Sequence, residues 1–336
     1  MADLEKYGSL RSRKVLVTGA GGFVGSHLTE ELVRIGAQVK AFVHYNSRND
    51  WGLLELLPED TLREIEVVAG DICDPFSVRN AIRGCELVFH LAALIGIPYS
   101  YLAPQSYMAV NAQGTLNVLQ ASLDERVEKV IHTSTSEVYG TAQYVPIDEK
   151  HPLNPQSPYA ASKVAADQLA SSYYLSFNLP VATLRPFNIF GPRQSARAII
   201  PNILCQALSD GKVKVGSLKP VRDFTYVKDA VRGFLDIAST DACVGATLNI
   251  GIGRGIGIHE LIDTISRLMG KELDLKVEQE RMRPENSEVL KLVCDYSKAR
   301  ETAGWAPRHS LEEGLTECIV WIQENLGRYK TDVYNI

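Results

Sequence analysis

Over the first half of the chain, short apolar runs alternate with longer amphipathic stretches. Lys14 to Thr18, Gln38 to Val43, Ile65 to Ala69, Leu87 to Leu91, Lys129 to Ser134 and Val181 to Arg185 read as strands. Phe23 to Ile35 (ending at Gly36), Phe76 to Arg83, Pro104 to Leu123 and Pro158 to Phe177 read as helices. This alternation predicts right-handed βαβ crossovers and an α/β fold built on a doubly wound parallel sheet. After about Pro186 the pattern loosens into loops, short helices at Ile200 to Ser209, His259 to Leu268 and Leu311 to Asn325, and strand-like pieces such as Ala246 to Ile250. No internal repeat, low-complexity run or Ser/Gly-rich linker separates the two halves. The expectation is a sheet domain over residues 1–186, to which parts of the later chain return, and a smaller α/β lobe over 187–336.

Composition narrows the classes. In 336 residues, 45 % hydrophobic and 22 % charged content are ordinary for a globular protein. With 35 Lys plus Arg against 40 Asp plus Glu, the net charge of −5 argues against a nucleic-acid partner. The six cysteines form no C-x-x-C pair, so no metal site is expected, and reduced thiols of a cytoplasmic protein are. Met1 to Lys14 lacks an apolar core of the kind a signal peptide has, and no stretch approaches the ~20 apolar residues of a spanning helix. Neither export nor membrane insertion is expected.

Thr18-Gly-Ala-Gly-Gly-Phe-Val-Gly25 joins the first strand to the first helix. Gly19 suits a tight turn, Gly22 a close pyrophosphate and Gly25 close helix–strand packing, as in a Rossmann dinucleotide site with phosphate on the helix N-terminus. An acid at the end of strand two would bond an adenosine ribose and signal NAD, but that strand runs into His44-Tyr-Asn-Ser-Arg48, with no acid before Asp50. The absence leans toward NADP, with His44 or Arg48 at the 2′-phosphate. Asp71 and Ile72, past strand three, are placed beside the adenine, and Leu91, Ala92 and Ala93, past strand four, near the ribose and pyrophosphate. A second run, Gly251-Ile-Gly-Arg-Gly-Ile-Gly257, has no βαβ unit behind it and reads as a loop.

Thr133-Ser-Thr-Ser-Glu-Val-Tyr-Gly140 closes the fifth strand with one carboxylate among small hydroxyls. Such a stretch suits proton transfer or a turn in which Ser and Thr bond their own backbone. Tyr159 and Lys163, four apart on one helix, share a face. A nearby ammonium is expected to favour phenolate and make Tyr159 a general base.

Together, these segments and VNAQGT (Val110 to Thr115), SPYAASK (Ser157 to Lys163), RPFNIFGPRQ (Arg185 to Gln194) and RDFTYVKD (Arg222 to Asp229) resemble the extended short-chain dehydrogenase/reductases acting on nucleotide sugars. Within them, HYNSRNDWG (His44 to Gly52), IGIPYSY (Ile95 to Tyr101) and Thr141 to Tyr159 are most similar to 4,6-dehydratases of the legionaminic acid pathway, which act on nucleotide-linked N-acetylglucosamine. The resemblance implies a tightly bound NAD(P) regenerated each turnover, with contacts also from Phe23, Val24, Asn111, Tyr159 and Lys163. It implies that Tyr159 takes the C4 hydroxyl proton as C4 is oxidised, with Thr135 on the same oxygen and Lys163 on the ribose. Glu137 would then remove the C5 proton, water would leave C6, and returned hydride would give a 4-keto-6-deoxy sugar. Tyr99, Asn188, Arg193, Arg222 and Arg283 are implied at the substrate, the arginines suiting a diphosphate. A homodimer through a four-helix interface is implied as well.

One position departs. dTDP-glucose 4,6-dehydratases carry an Asp before the base that protonates the leaving water, and here it is Ser136; GDP-mannose 4,6-dehydratases resemble this chain in having Ser-Glu. The acid is thereby unassigned, with a Glu137 shuttle as one solution. Decarboxylase, 4-epimerase and a non-catalytic NADP-sensing scaffold are the alternatives.

Overall fold

Strands that are apolar at nearly every position belong in the middle of a sheet covered on both faces. The computed structural model describes residues 6–330. Among them, seven strands form one parallel sheet: β1 (Lys14–Thr18), β2 (Gln38–His44), β3 (Ile65–Gly70), β4 (Leu87–His90), β5 (Lys129–Thr133), β6 (Val181–Pro186) and β7 (Thr247–Ile250). Their order is β7-β6-β5-β4-β1-β2-β3. Strands β4 and β6 are buried at every position. The order reverses between β1 and β4, and in open α/β sheets the crevice outside the strand carboxyl ends at such a point is where ligands bind. The late strand β7 pairs with β6, so chain beyond residue 187 does return to the sheet.

Helix starts follow local chemistry. Ahead of α1 (Phe23–Arg34) stands Gly22, with no side-chain cap. Before α2 (Pro75–Ile82), the Asp74 carboxylate accepts the amides of Phe76 and Ser77, and Pro75 supplies a preset first turn. The expected long helix from Pro104 is interrupted: Pro104–Tyr107 passes through a wide, π-type turn at Met108–Gln113 into α3 (Gly114–Asp124). The Ser157 hydroxyl accepts the Ala160 amide to start α4 (Pro158–Phe177), which ends on left-handed Asn178. Helix α5 (Val227–Ala238), unanticipated by the periodicity, has no side-chain cap to announce it and is buried at ten of its twelve positions. It packs against α1, β5 and β6.

The rest forms small paired pieces: Asn188–Phe190 with Phe224–Tyr226, Val221–Arg222 with Ile256–Gly257, and Lys212–Val215 with Asp274–Val277. No described helix is long and apolar enough to cross a membrane.

The turn after β1 is the tightest point of the crevice. Gly19 has φ +71°, and a Cβ there would lie 2.8 Å from the Ala92 amide nitrogen. Gly19→Ala should therefore combine left-handed strain with a backbone clash and lower the unfolding free energy by about 3 kcal/mol. Denaturant titration measures this, and a loss below about 0.5 kcal/mol would show that the turn relaxes freely.

Candidate active site

Three strand ends build the dinucleotide side. The Thr18 hydroxyl accepts the amides of Leu91 and Ala92 (both 3.1 Å), tying the β1 turn to the chain after β4. A Cβ at Gly25 would sit 2.1 Å from the Gly19 carbonyl, so α1 packs onto the turn as only glycine allows. Gly22, Phe23 and Val24 bring the α1 N-terminus to the same crevice, and Ala93 follows Ala92. His44 ends β2, exposed, and the Arg48 side chain is 83 % exposed with Asp50 at 3.7 Å. Asp71 caps the turn after β3 by accepting the Cys73 amide at 2.9 Å, and Ile72 is buried against Gly114. This side-chain-free turn at a helix N-terminus fits a dinucleotide pyrophosphate.

The candidate catalytic cluster lies where β5 meets the start of α4. Thr135, Ser136, Glu137, Tyr159 and Lys163 are all buried. Thr135 accepts the Glu137 amide at 3.2 Å and hydrogen-bonds the Tyr159 phenol. Burial pushes the phenol well above its ordinary value, the Thr135 bond pulls it down, and the Glu137 charge pushes it further up. The Lys163 ammonium donates to the Thr133 carbonyl at 2.6 Å. The expectation that a nearby Lys163 ammonium lowers the Tyr159 pKa is thus corrected: burial and the Glu137 carboxylate raise it. Burial also lowers Lys163 to about 8, against the pull of Asp167. The Tyr107 ring meets Tyr159 edge-on, centroids 6.2 Å apart, and Tyr99, partly exposed, lies 6.2 Å from Tyr107.

Arg222 and Arg283 converge on the side of the lobe. Both reach Glu288, at 3.6 and 3.4 Å, and burial lowers Arg222 while Glu137 and Glu288 raise it. The buried Asn188 Oδ1 has no partner among the described residues, as a group reserved for a ligand would. Glu288 was not foreseen, since nothing in its spacing marks it.

Two expected residues hold bonds within the fold. Arg193 bridges to Glu30 on α1 at 2.6 Å through Nη2, while its buried Nε and Nη1 have no partner among the described residues. Asn111 exchanges hydrogen bonds with the Leu94 backbone (2.8 and 2.9 Å) and donates to Ser162 (2.9 Å), so it braces the loop after β4 against α4. The Gly251 to Gly257 loop, meanwhile, wraps a buried carboxylate. Asp223 accepts the amides of Ile252, Gly253 and Cys294 at 2.8, 2.8 and 3.1 Å. Burial pushes it up to about 6 although these amides pull it down.

Comparison with known proteins accords with this geometry. The family model described as GDP-mannose 4,6 dehydratase matches residues 16–318. The chain belongs to the extended short-chain dehydrogenase/reductase family of nucleotide-sugar dehydratases and epimerases. This nucleotide-sugar dehydratase/epimerase homologue is 30 % identical to human dTDP-D-glucose 4,6-dehydratase over 334 residues, 95 % of this chain and 92 % of that one. It is 31 % identical to the UDP-glucuronate 4-epimerase of Thermodesulfobacterium geofontis over 326 residues, 94 % and 98 % of the two chains. Among solved structures, the dTDP-glucose 4,6-dehydratase DesIV from Streptomyces venezuelae, which has NAD bound, superposes with TM-score 0.85 at 28 % identity, covering 94 % of this chain and 99 % of that one.

The Lys163 environment has a thermodynamic signature. An ammonium titrating near 8 when folded and near 10.5 when unfolded binds its proton more readily in the unfolded chain, so stability rises with pH across that window. Below it, burying the charge costs about 3 kcal/mol. Lys163→Met should therefore be the more stable protein below pH 8, by up to about 3 kcal/mol, with the advantage shrinking toward pH 10.5. Unfolding both proteins in the same cofactor state checks this; a pH-independent difference would refute it.

Proposed function

We propose that this protein is an NAD(P)-dependent nucleotide-sugar 4,6-dehydratase acting on a UDP- or GDP-linked N-acetylglucosamine, with a 4-keto-6-deoxy product. The observation that carries dehydration is the Glu137 carboxylate, buried at the cluster and acting on both Tyr159 and Arg222. Epimerisation at C4 needs only a base for the C4 hydroxyl. Dehydration needs in addition a base for the C5 proton, which the 4-ketone acidifies, and a carboxylate suits that task where a hydroxyl does not.

Tyr159 accepts the C4 hydroxyl proton, with Thr135 bonding the same oxygen and Lys163 fixing the ribose side. When bound, the dinucleotide supplies a reversible hydride store and, oxidised, a positive ring charge that favours phenolate. Glu137 takes the C5 proton as the C6–O bond breaks. Because Ser136 stands where one branch of the family has an acid, Glu137 delivers that proton to the departing C6 oxygen, which leaves as water. As C6 is then reduced, Glu137 relays a solvent proton to C5 while Tyr159 releases the C4 hydroxyl proton to solvent, so that one water is lost overall. Arg222, Arg283 and Asn188 hold the diphosphate, with Glu288 giving way.

The lean toward NADP is supported by His44 and Arg48 reaching solvent at the end of β2. Exposed Met108 after Pro104 and exposed Leu175 and Phe177 on α4 support a twofold dimer through the helices from Pro104 and Pro158. Substrate contacts fall mainly to residues 187–336. A 4-epimerase is the second reading, favoured by the equal likeness to the UDP-glucuronate 4-epimerase.

Incubation with UDP- and GDP-N-acetylglucosamine and mass analysis separate the readings: dehydration makes a product lighter by one water, epimerisation one of equal mass, and a scaffold none. Glu137→Gln should cut dehydration by about 10²–10⁴-fold while C4 oxidation persists, so reduced nicotinamide accumulates. Full activity in that variant sinks the mechanism. Arg222→Ala should weaken nucleotide-sugar binding about tenfold or more, measurable by calorimetry, and unchanged affinity would remove it from the substrate site.

A further inference from the structure

Asp167 lies four residues beyond Lys163 on α4, on the same face. Its side chain is 3 % exposed and accepts four hydrogen bonds: from Arg185 Nε (3.0 Å) and Nη2 (2.9 Å) on β6, Ser134 Oγ (2.8 Å) and His132 Nε2 (3.1 Å) at the end of β5. The groups acting on Lys163 from the surrounding elements are His90 on β4, His132 on β5 and Asp167 on α4, with Arg185 of β6 behind Asp167. Burial lowers both histidines below their ordinary range, so they stay neutral. Asp167 is then the one carboxylate opposing two buried cations.

The pair also reaches the catalytic turn. Arg185 Nη1 donates to the Tyr139 hydroxyl at 2.9 Å, and the guanidinium lies 5.0 Å from the Tyr139 ring centroid. Tyr139 donates to Asn249 Oδ1 (2.8 Å) on β7, and Asn249 Nδ2 donates to the Ile147 carbonyl (3.1 Å). Tyr139 is the last residue of the Ser136–Tyr139 turn that carries Glu137. One buried chain of contacts therefore joins α4, β5, β6 and β7 at the catalytic cluster.

We infer that Asp167 and Arg185 are positioning residues: their ion pair keeps Lys163 charged and, through Tyr139, seats the Glu137 turn against the helix of Tyr159. The Lys163 half holds under either the dehydratase or the epimerase reading, because both require C4 oxidation; the Glu137 half rests on the dehydratase reading. Charge loss at a buried neighbour is read best in a pH profile, because a packing defect lowers rate without moving a titration.

The test uses full-length Asp167→Asn, Asp167→Glu and Tyr139→Phe, with single-turnover C4 oxidation followed by nicotinamide absorbance and C5 exchange by deuterium uptake. In Asp167→Asn the alkaline loss of C4 oxidation should begin at a pH lower by about 1 or more, and Asp167→Glu should restore it. An unmoved alkaline limb in a folded Asp167→Asn overturns the Lys163 half. Tyr139→Phe should slow C5 exchange about tenfold while C4 oxidation stays within about twofold. Equal losses in both steps overturn the Glu137 half. If Asp167→Asn does not fold, Asp167→Ser takes its place for the Lys163 half under the same criterion, and Tyr139→Phe still decides the Glu137 half. Wild-type C4 oxidation without loss of water counts against the dehydratase reading alone.

Discussion

Placing an ammonium inside a nearly dry interior is the constraint on which this cluster depends. Lys163 donates to the Thr133 carbonyl and has Asp167 for its opposing charge. Asp167 can serve because β5 and β6 are neighbours in the sheet, with Thr133 opposite Leu184, so that Ser134 and Arg185 emerge side by side beneath α4. A buried charge pair is costly to desolvate and is retained where geometry satisfies it fully. Here nearly every acceptor position of the carboxylate is used. The same order of strands that opens a crevice between β1 and β4 thus supplies the groups that keep its floor charged.

Much of this architecture was legible in the chain. Alternation of apolar runs and helical stretches located all six early strands to within about a residue, because strands covered on both faces read as mostly apolar runs. The wide turn at Met108–Gln113 was not legible: periodicity continues across it, and only tertiary bonds from Asn111 to Leu94 show the distortion. Helix α5 went unread although Lys228, Asp229, Arg232 and Asp236 recur at helical spacing among its apolar residues, since no side-chain cap marks its start.

At the site, residues that act over short sequence distances were readable and those that act across the fold were not. The glycine turn and the Tyr159–Lys163 spacing are local, and the structure brings both to one crevice. Arg193 could not be told from Arg222 by type, yet one meets Glu30 and the other Glu288. The direction of the Tyr159 shift was also beyond the sequence, because it is decided by burial and by Glu137, not by helical spacing. Asp167 could have been found, four residues from Lys163 on the same helical face.

The loop around Asp223 carries a wider lesson about glycine-rich turns. Its amides point inward at a carboxylate of the same chain, which acts as a built-in anion. Such a loop already holds an anion at the Ile252 and Gly253 amides, the Asp223 carboxylate next in sequence to Arg222. Two turns of nearly equal glycine content in one chain therefore differ in what their amides face, backbone carbonyls for Gly19, Ala20 and Gly22 and a carboxylate for Ile252 and Gly253, a property that composition does not carry.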